Sequence, residues 1–135
     1  MFFRCVFSEI LNTTDFKNLC LEFPNPTHQQ LLKQKQIFPY DHLNSLERLD
    51  ETSLPTKDQF YSKLYEQEID DQKFVHAQQV WQTFNCQTVG DYALLYLKTD
   101  VLLLADIFEQ FRSMGMRYYG LDPIHYYSLP GYSWD

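Results

Sequence analysis

The segment from Thr88 to Tyr119 constrains the fold more than any other part of the chain. It contains no proline, and its Leu, Ala, Met and Lys residues are strong helix formers. Thr88 followed by Asp91 has the form of an N-terminal capping box, and Gly120 with Pro123 is typical of a helix end. The segment therefore predicts one long helix that the other elements pack against.

An acidic residue lies where the helical period predicts an apolar face. On a helical wheel, one side is mainly apolar and carries Val89, Ala93, Tyr96, Leu103, Leu104, Ile107, Phe111, Met114 and Tyr118. Asp100 is expected at the centre of that side, whereas Asp106 is expected on the polar side in contact with water. A buried carboxylate without a partner costs several kcal/mol or takes up a proton. Asp100 is therefore predicted to meet a metal ion, a positive charge or a set of hydrogen-bond donors.

The residues alone leave two interpretations of Asp100 open. In the first, an Arg, a Lys or a Tyr hydroxyl from elsewhere in the fold pairs with its carboxylate. In the second, Asp100 belongs to a functional site, where perturbed carboxylates are common.

The composition describes a globular chain with an acidic balance. Of the 135 residues, 44% are hydrophobic, which is enough for one small domain with its own core. The net charge of −7 argues against free-standing nucleic-acid binding, which normally needs a basic surface, but is compatible with a carboxylate-metal site. Cys5, Cys20 and Cys86 form no CxxC pair, so reduced thiols in an intracellular protein are expected. Neither a signal peptide nor a membrane span is predicted.

The shorter elements are also predicted to be helical. Met1 to Leu11 is compatible with a strand or a helix, and residues 34–56 are expected to form an ordered loop packed by aromatic side chains. Apolar spacing and cap residues predict further helices: Phe16 to Phe23, a helix capped by Thr27 and running through Lys33, Lys57 to about Tyr65 capped by Thr56 or Ser53, and Gln72 to Phe84. The result is a mainly α chain of four or five helices with little sheet, which also suits a piece of a larger α/β domain.

One motif of the long helix resembles a known catalytic motif. Tyr96 and Asp100 form a YxxxD pattern similar to the third exonuclease motif of family-B DNA polymerases. The stretch from about Lys35 to Asp135 resembles the protein-primed, viral and organellar type of that family, including the polymerases of Polinton transposons. The segments that carry the resemblance are IFPY (37–40), LP (54–55), FYS (60–62), HAQ (76–78), VW (80–81), YLKTDVLLLADIFEQFR (96–112) and YGLDPIHYYSLPGYSWD (119–135).

The resemblance implies an RNase-H-like exonuclease domain with two divalent metals, Mg²⁺ or Mn²⁺, held by carboxylates. In that family the metals activate a water and stabilise the leaving oxygen in phosphodiester hydrolysis. Asp100 would be a metal ligand, directly or through water, and Tyr96 would orient the attacking water or contact the scissile phosphate. The complete protein would be a DNA-directed DNA polymerase with a proofreading 3′–5′ exonuclease, acting on DNA and dNTPs with a terminal protein as primer.

The chain also departs from the family's pattern. The first motif (DxE), the second motif and the aspartates of the polymerase palm are not found in the 135 residues. One carboxylate cannot hold two cations that each prefer about six oxygen ligands, so the chain alone is predicted to be inactive. Residues 1–34 match the family poorly, residues 35–120 correspond to the C-terminal part of the exonuclease domain, and residues 121–135 to the start of the connection toward the palm. Lys57, Lys63 and Lys73 are candidates for the family's exonuclease lysine.

Two other clusters of side chains have structural explanations, and the chain also suits a second function. An acidic cluster is predicted to be a solvated helix entry rather than a metal site: Glu66, Glu68, Asp70 and Asp71. The aromatic side chains of the tail are predicted to pack the turn after the long helix rather than to stack on bases: Tyr118, Tyr119, Tyr126, Tyr127, Tyr132 and Trp134. The alternative to a polymerase fragment is a non-catalytic helical module that binds another protein.

Overall fold

The structure is a computed structural model that describes residues 15–64, 66 and 68–134, and these residues are mainly helical. Among the described residues there are five α-helices: α1 (Lys17–Glu22), α2 (Pro26–Leu32), α3 (Asp71–Thr83), α4 (Val89–Tyr119) and α5 (Leu129–Trp134). Short 3₁₀ helices occur at Leu46–Asp50, Lys57–Phe60 and Pro123–His125, and the described residues contain no β-strand. The prediction of a mainly α chain with four or five helices is confirmed. The segment from Met1 to Leu11 lies outside the described residues.

Helix α4 begins and ends at the signals that the sequence predicts. The backbone N–H of Thr88 donates to the Asp91 carboxylate at 2.9 Å, and the N–H of Asp91 donates to the Thr88 hydroxyl at 3.2 Å. This reciprocal pair satisfies N–H groups that the first turn of a helix leaves open. At the other end, Gly120 has a φ of 68°, a left-handed conformation that glycine adopts without strain. Local chemistry therefore fixes both ends of this 31-residue helix.

The start of α2 corrects one predicted cap. Asn25 rather than Thr27 is the N-cap, because the Asn25 side-chain oxygen accepts the Thr27 N–H at 2.9 Å. Pro26 then occupies the first helical position, where its missing N–H removes no hydrogen bond.

The predicted helix from Lys57 to Tyr65 is wrong, since only one 3₁₀ turn, Lys57–Phe60, forms there. Its start follows the prediction, because Thr56 and Gln59 form a capping box. Phe60 is the only buried side chain of the turn, whereas Leu64 further on is 81% exposed. Without a continuous apolar face, tertiary packing does not stabilise a longer helix here.

The chain divides into two compact units, one of which is Phe23–Asp100. In this unit α2 packs on α3, and the His76 ring nitrogen Nε2 lies 3.0 Å from the Leu31 carbonyl oxygen. The core side chains of the unit are at most 3% exposed: Leu32, Phe60, Ala77, Val80, Val89 and Tyr92. Two of them belong to the first turn of α4, so the start of the long helix is part of this core.

The other unit combines the segment ending at Glu22 with the residues from Val101 onward. Arg112 donates two hydrogen bonds to the Asp122 carboxylate, at 3.0 and 2.7 Å. The Tyr132 ring lies edge-on to the rings of Phe111, Tyr119 and Tyr126, with centroids 5.2–6.4 Å apart. Of the six aromatic side chains predicted to pack the turn after the long helix, Tyr132 makes such contacts, whereas four are largely exposed: Tyr118, Tyr119, Tyr127 and Trp134.

Candidate functional site

Tyr96 and Asp100 lie one helical turn apart on α4, so their side chains are on the same side of the helix. Burial is the largest cause that raises the pKa of Tyr96, followed by a hydrogen bond with Tyr40 and then by the charge of Asp100. A side-chain hydrogen bond with Asp100 also contributes to this higher pKa. The Tyr96 hydroxyl is therefore protonated at neutral pH, and it lies beside an exposed carboxylate. The structure brings the two residues of the YxxxD pattern together.

The predicted position of Asp100 at the centre of a buried face is wrong. Asp100 is exposed, and the buried residues of this part of α4 include Tyr92, Leu95 and Thr99. Thr99 is only 1% exposed because its hydroxyl donates to the Leu95 carbonyl oxygen at 2.8 Å, so a polar residue enters the core at little cost. Asp100 therefore needs no partner to offset a cost of burial. Its position one turn from Tyr96 is the feature of the YxxxD pattern that the structure retains.

Two aromatic side chains from the loop before the first 3₁₀ turn surround Tyr96. The Phe38 ring centroid lies 4.7 Å from that of Tyr96, and the Tyr40 hydroxyl oxygen lies 3.0 Å from the Tyr96 hydroxyl oxygen. Tyr40 keeps 69% of its surface exposed. Neither Phe38 nor Tyr40 was predicted as part of the site. The sequence feature that could have indicated them is the IFPY segment, in which both aromatic residues flank Pro39 and the residue before the proline is expected to be extended.

Hydrogen bonds hold this loop against α4 at two points. The hydroxyl of Tyr92, which is 1% exposed, donates to the Ile37 carbonyl oxygen at 2.8 Å. Further along the chain, the Glu51 carbonyl oxygen accepts the N–H of Val89 at 2.8 Å, at the first residue of α4. The loop that carries Tyr40 is therefore attached to the helix that carries Tyr96 by bonds at both of its ends.

A cluster of His42, Arg48 and Glu51 closes the loop between these points. The Glu51 carboxylate lies 2.9 Å from His42 Nε2 and accepts a 3.0 Å hydrogen bond from Arg48. The hydrogen bond with His42 is the largest cause that lowers the pKa of Glu51, and Arg48 acts in the same direction. Because the His42 side chain is only 6% exposed, this cluster connects the loop interior to the start of α4.

The structure also corrects the position predicted for Asp106. Its side chain is 5% exposed rather than solvated. One carboxylate oxygen accepts the backbone N–H and the side-chain amide of Asn18, at 2.9 and 2.8 Å, and the other accepts the N–H of Leu19 at 3.0 Å. Asp106 therefore caps the first turn of α1, where a negative charge is favourable. No local signal predicts this role, because the cap and the helix are 87 residues apart.

Few side chains that could bind a divalent metal ion surround the candidate site. Within the part of the chain that the structure describes, no group of three or more His, Cys, Asp or Glu side chains is arranged to hold a metal ion. Asp100 by itself does not fit the two metals that the family resemblance implies, since each prefers about six oxygen ligands. The acidic residues Glu66, Glu68, Asp70 and Asp71 are exposed, as expected for a solvated helix entry.

The three candidate lysines lie at separate places in Phe23–Asp100. Lys57 pairs with Asp71 of α3, and the carboxylate of Asp71 is the largest cause that raises the pKa of Lys57. The backbone N–H of Lys63 donates to the Asp41 carboxylate at 2.9 Å, next to Tyr40 in sequence. Lys73 is exposed on α3. Of the three, Lys63 belongs to the segment that contacts the Tyr40 loop.

Comparisons with known proteins find no similar protein. No protein-family model, no curated protein and no solved structure matches the chain. Among the described residues, no helix is both long enough and apolar enough to cross a membrane.

Proposed function

We propose that the chain is part of a family-B, protein-primed DNA polymerase and belongs to its 3′–5′ exonuclease domain. The observation that carries the proposal is the pair Tyr96 and Asp100, which lie one turn apart on the same side of α4, with the carboxylate exposed. An exposed carboxylate is accessible to a cation and a phosphate, whereas the fully buried one that the helical wheel predicts would first have to be uncovered.

The surroundings of Tyr96 suit the role that the resemblance gives it. Its hydroxyl is protonated at neutral pH, as any tyrosine with an ordinary pKa would be, and burial, Tyr40 and Asp100 raise its pKa further. A tyrosine hydroxyl has one proton to donate, so in this role Tyr96 would turn that proton from Asp100 to a water molecule or a phosphate oxygen, while the metal took its place at the carboxylate. Asp100 would be the metal ligand of the pair, and Tyr96 the group that orients water or contacts the scissile phosphate.

The isolated chain is proposed to be catalytically inactive. A single carboxylate provides too few ligands for Mg²⁺ or Mn²⁺, and among the described residues no group of three or more His, Cys, Asp or Glu side chains is arranged to hold a metal ion. The metals, the DNA substrate, dNTPs and a terminal protein primer therefore belong to the complete polymerase in this proposal.

A nuclease assay with a metal-binding measurement tests these statements. The chain is mixed with a 3′-labelled oligonucleotide and Mn²⁺, and no shortening is expected from the wild type. Shortening that Asp100→Ala abolishes would overturn the claim of inactivity. Thermal unfolding with increasing Mn²⁺ is then compared for wild type, Asp100→Asn and the control Asp50→Asn, an exposed aspartate in the Leu46–Asp50 turn. A small stabilisation lost only in Asp100→Asn supports the metal role.

The reading frame on both sides of the coding sequence gives the decisive test of identity. The proposal requires a D-x-E motif upstream and the aspartates of a polymerase palm downstream in the same gene. An open frame of sufficient length that contains neither would overturn it.

The outward face of α4 favours a second candidate function. Leu94, Leu97, Val101, Leu104 and Phe108 follow one another at alternating spacings of three and four residues, and each is 40–66% exposed. This is the spacing with which one helix packs against another in a coiled coil. We therefore propose, as the alternative, a non-catalytic helical module that pairs through α4 with a second copy of the chain.

Residue types along this stripe suit a parallel pair of helices. Leucine occupies both d positions, Leu97 and Leu104, and the central a position between them is the β-branched Val101, a combination that favours two parallel strands, although the outer a positions, Leu94 and Phe108, are not β-branched. At the flanking positions of a parallel pair, like charges do not oppose each other: Ala93 faces Lys98, Asp100 faces Ala105, and Ile107 faces Arg112. The five side chains would bury on the order of 500 Å² per copy, below the roughly 800 Å² of a standard interface, so weak association is expected.

Sedimentation equilibrium separates this alternative from the first proposal. A concentration-dependent dimer is expected, and the double change Leu97→Glu and Leu104→Glu should abolish it. The control is Leu46→Glu, an 83% exposed leucine in the Leu46–Asp50 turn. A chain that stays monomeric at the highest concentration measured would overturn the alternative.

A further inference from the structure

The apolar stripe of α4 continues past Phe108, but residues 121–134 of the same chain cover part of its continuation. The alternation of three and four residues leads from Phe108 to Phe111, Gly115 and Tyr118. Phe108 is 40% exposed, whereas Gly115 is buried. We call residues 121–134, which include the last 3₁₀ turn and α5, the strap. The strap therefore occupies positions that would otherwise belong to the stripe.

Two residues of the strap make the covering contacts. A Cβ atom at Gly115 would lie 2.6 Å from the Tyr132 hydroxyl and 2.8 Å from Pro123 Cδ, so the missing side chain lets both groups approach the helix. The Tyr132 ring also lies edge-on to that of Phe111, with ring centroids 5.7 Å apart. The strap is therefore in direct contact with two successive positions of the stripe, and Tyr132 makes both contacts.

The contact between the strap and α4 is incomplete. The Tyr132 hydroxyl is buried, and no group among the described residues forms a hydrogen bond with it. A buried hydroxyl without a partner loses its hydration and gains no bond in return. A cavity of about 540 Å³ also lies between α4 and α5, lined by side chains that include Met114, Tyr118 and Leu129. Because well-packed interiors contain few such voids, the strap is held less tightly than a core element.

The covered part of the stripe suits a second copy of the chain. The five exposed side chains of the stripe bury on the order of 500 Å² per copy, less than the roughly 800 Å² of a standard interface. Phe111 and Tyr118 would add roughly 300 Å², because an aromatic side chain buries about 150–250 Å². In a parallel pair Met114 would face Tyr119, so the longer contact brings no like charges together. With the strap displaced, the pair reaches the size of a stable interface.

We propose that the strap is an autoinhibitory contact that competes with a second copy of the chain for the stripe of α4. This inference rests on the alternative proposed function, pairing through α4, and adds its regulation. While the strap lies on Gly115, only the first part of the stripe is available and the pair is weak. When the strap leaves, the pair extends through Phe111 and Tyr118 and becomes tighter. Because the strap and the partner exclude each other, a change that strengthens one contact weakens the other.

Substitutions of Tyr132 test this competition in both directions, because Tyr132 belongs to the strap and not to the stripe. Sedimentation equilibrium of the full chain measures the dissociation constant of the dimer. Tyr132→Ala removes the ring that holds the strap, and we expect a constant about tenfold lower than that of the wild type. Tyr132→Phe removes the unsatisfied hydroxyl and keeps the ring, so the strap should hold better and the constant should rise about threefold. The control is Tyr127→Ala, at an exposed residue of the strap, which should leave the constant unchanged.

A double variant locates the surface that the tighter dimer uses. Tyr132→Ala combined with Tyr118→Glu should lose the gain in affinity, because a charge then enters the extended part of the stripe. Association of a misfolded chain would instead persist in the double variant. Circular dichroism checks that the helix content is kept, and Tyr132→Phe, which retains the ring, provides the test should Tyr132→Ala fail to fold.

The outcomes separate the strap from the proposed pairing. A wild type that dimerises with a constant that neither Tyr132→Ala nor Tyr132→Phe changes overturns the strap, while the pairing stands. A tighter dimer in Tyr132→Ala that persists after Tyr118→Glu also overturns the strap, because association then uses another surface. The absence of a dimer in the wild type and in every variant overturns both proposals.

Discussion

The buried carboxylate of Asp106 accepts the backbone N–H of Leu19, 87 residues earlier in the chain, at 3.0 Å. Because the same carboxylate also accepts two hydrogen bonds from Asn18, one side chain holds the first turn of α1 in place. Hydrogen bonds to a charged group contribute more than those between neutral groups, and a lost partner leaves buried donors unsatisfied.

Asp106→Ala should therefore lower the free energy of unfolding by about 2–3 kcal/mol. Asp106→Asn should cost less, since the amide retains one acceptor oxygen. Urea unfolding measures both, and Asp50→Ala, at an exposed position, is the control expected within about 0.5 kcal/mol of wild type. If Asp106→Ala were as stable as the control, the capping role would be refuted.

Tyr92→Phe tests whether the hydroxyl of a core tyrosine fixes the Tyr40 loop. The change removes the hydrogen bond to the Ile37 carbonyl oxygen and leaves the buried ring in place. A loss of about 1 kcal/mol in unfolding free energy is expected. Hydrogen exchange should also become faster in residues 37–43, where the loop meets α4. Tyr61→Phe serves as the matched control, and unchanged exchange in the loop would contradict the proposed attachment.

Gly115→Ala should destabilise the unit that contains the end of α4. A Cβ atom at this position would lie 2.6 Å from the Tyr132 hydroxyl, 2.8 Å from Pro123 Cδ and 2.9 Å from the Leu121 carbonyl oxygen. Alanine is intrinsically favoured in a helix by about 1 kcal/mol, but overpacking costs about 1–3 kcal/mol and is expected to prevail. Thermal unfolding measures the difference. Gly131→Ala is the control, because its new Cβ would make only an ordinary contact, 3.5 Å from Ser128.

The Arg112–Asp122 pair predicts loss of stability in acid. The hydrogen bonds from Arg112 are the main reason that the pKa of Asp122 is lowered to about 2, and the Ile124 N–H adds to the effect. A carboxyl group whose pKa is lower in the folded chain stabilises it above the pKa of the unfolded chain, about 3.9. This contribution should therefore be complete above about pH 4 and disappear as the pH falls toward 2. Melting temperatures over that range should depend on pH less steeply in Asp122→Asn, and equal slopes would contradict the assignment.

The parts of the fold that depend on residues close to each other in the sequence were predictable. The capping pair of Thr88 and Asp91 and the stop at Gly120 act within one turn, so the pattern of residue types was sufficient. Helix α3 also lies within one residue of its predicted ends. In contrast, the helix after Thr56 required knowledge of which face would be buried, and only Phe60 proved to be covered.

The orientation of α4 was not predictable, because apolar residues occupy most of its circumference. Leu97 and Leu104 are hydrophobic and exposed, whereas Thr99 and Asp106 are polar and buried. A helical wheel ranks faces by hydrophobicity, so it placed Asp100 inside and Asp106 outside. The Thr99 hydroxyl is satisfied by the Leu95 carbonyl of its own helix, so its polarity does not prevent burial, and the buried Asp106 accepts hydrogen bonds from Asn18, a partner 88 residues away that the helical wheel does not include.

The distance along the chain between α1 and its cap also bears on synthesis. A six-residue helix such as α1 is too short to persist by itself in water. During translation, the amide groups of Asn18 and Leu19 have no acceptor from Asp106 until nearly ninety further residues have been added. The first of the described helices is therefore expected to be among the last to become stable, and its amide groups depend on water until then.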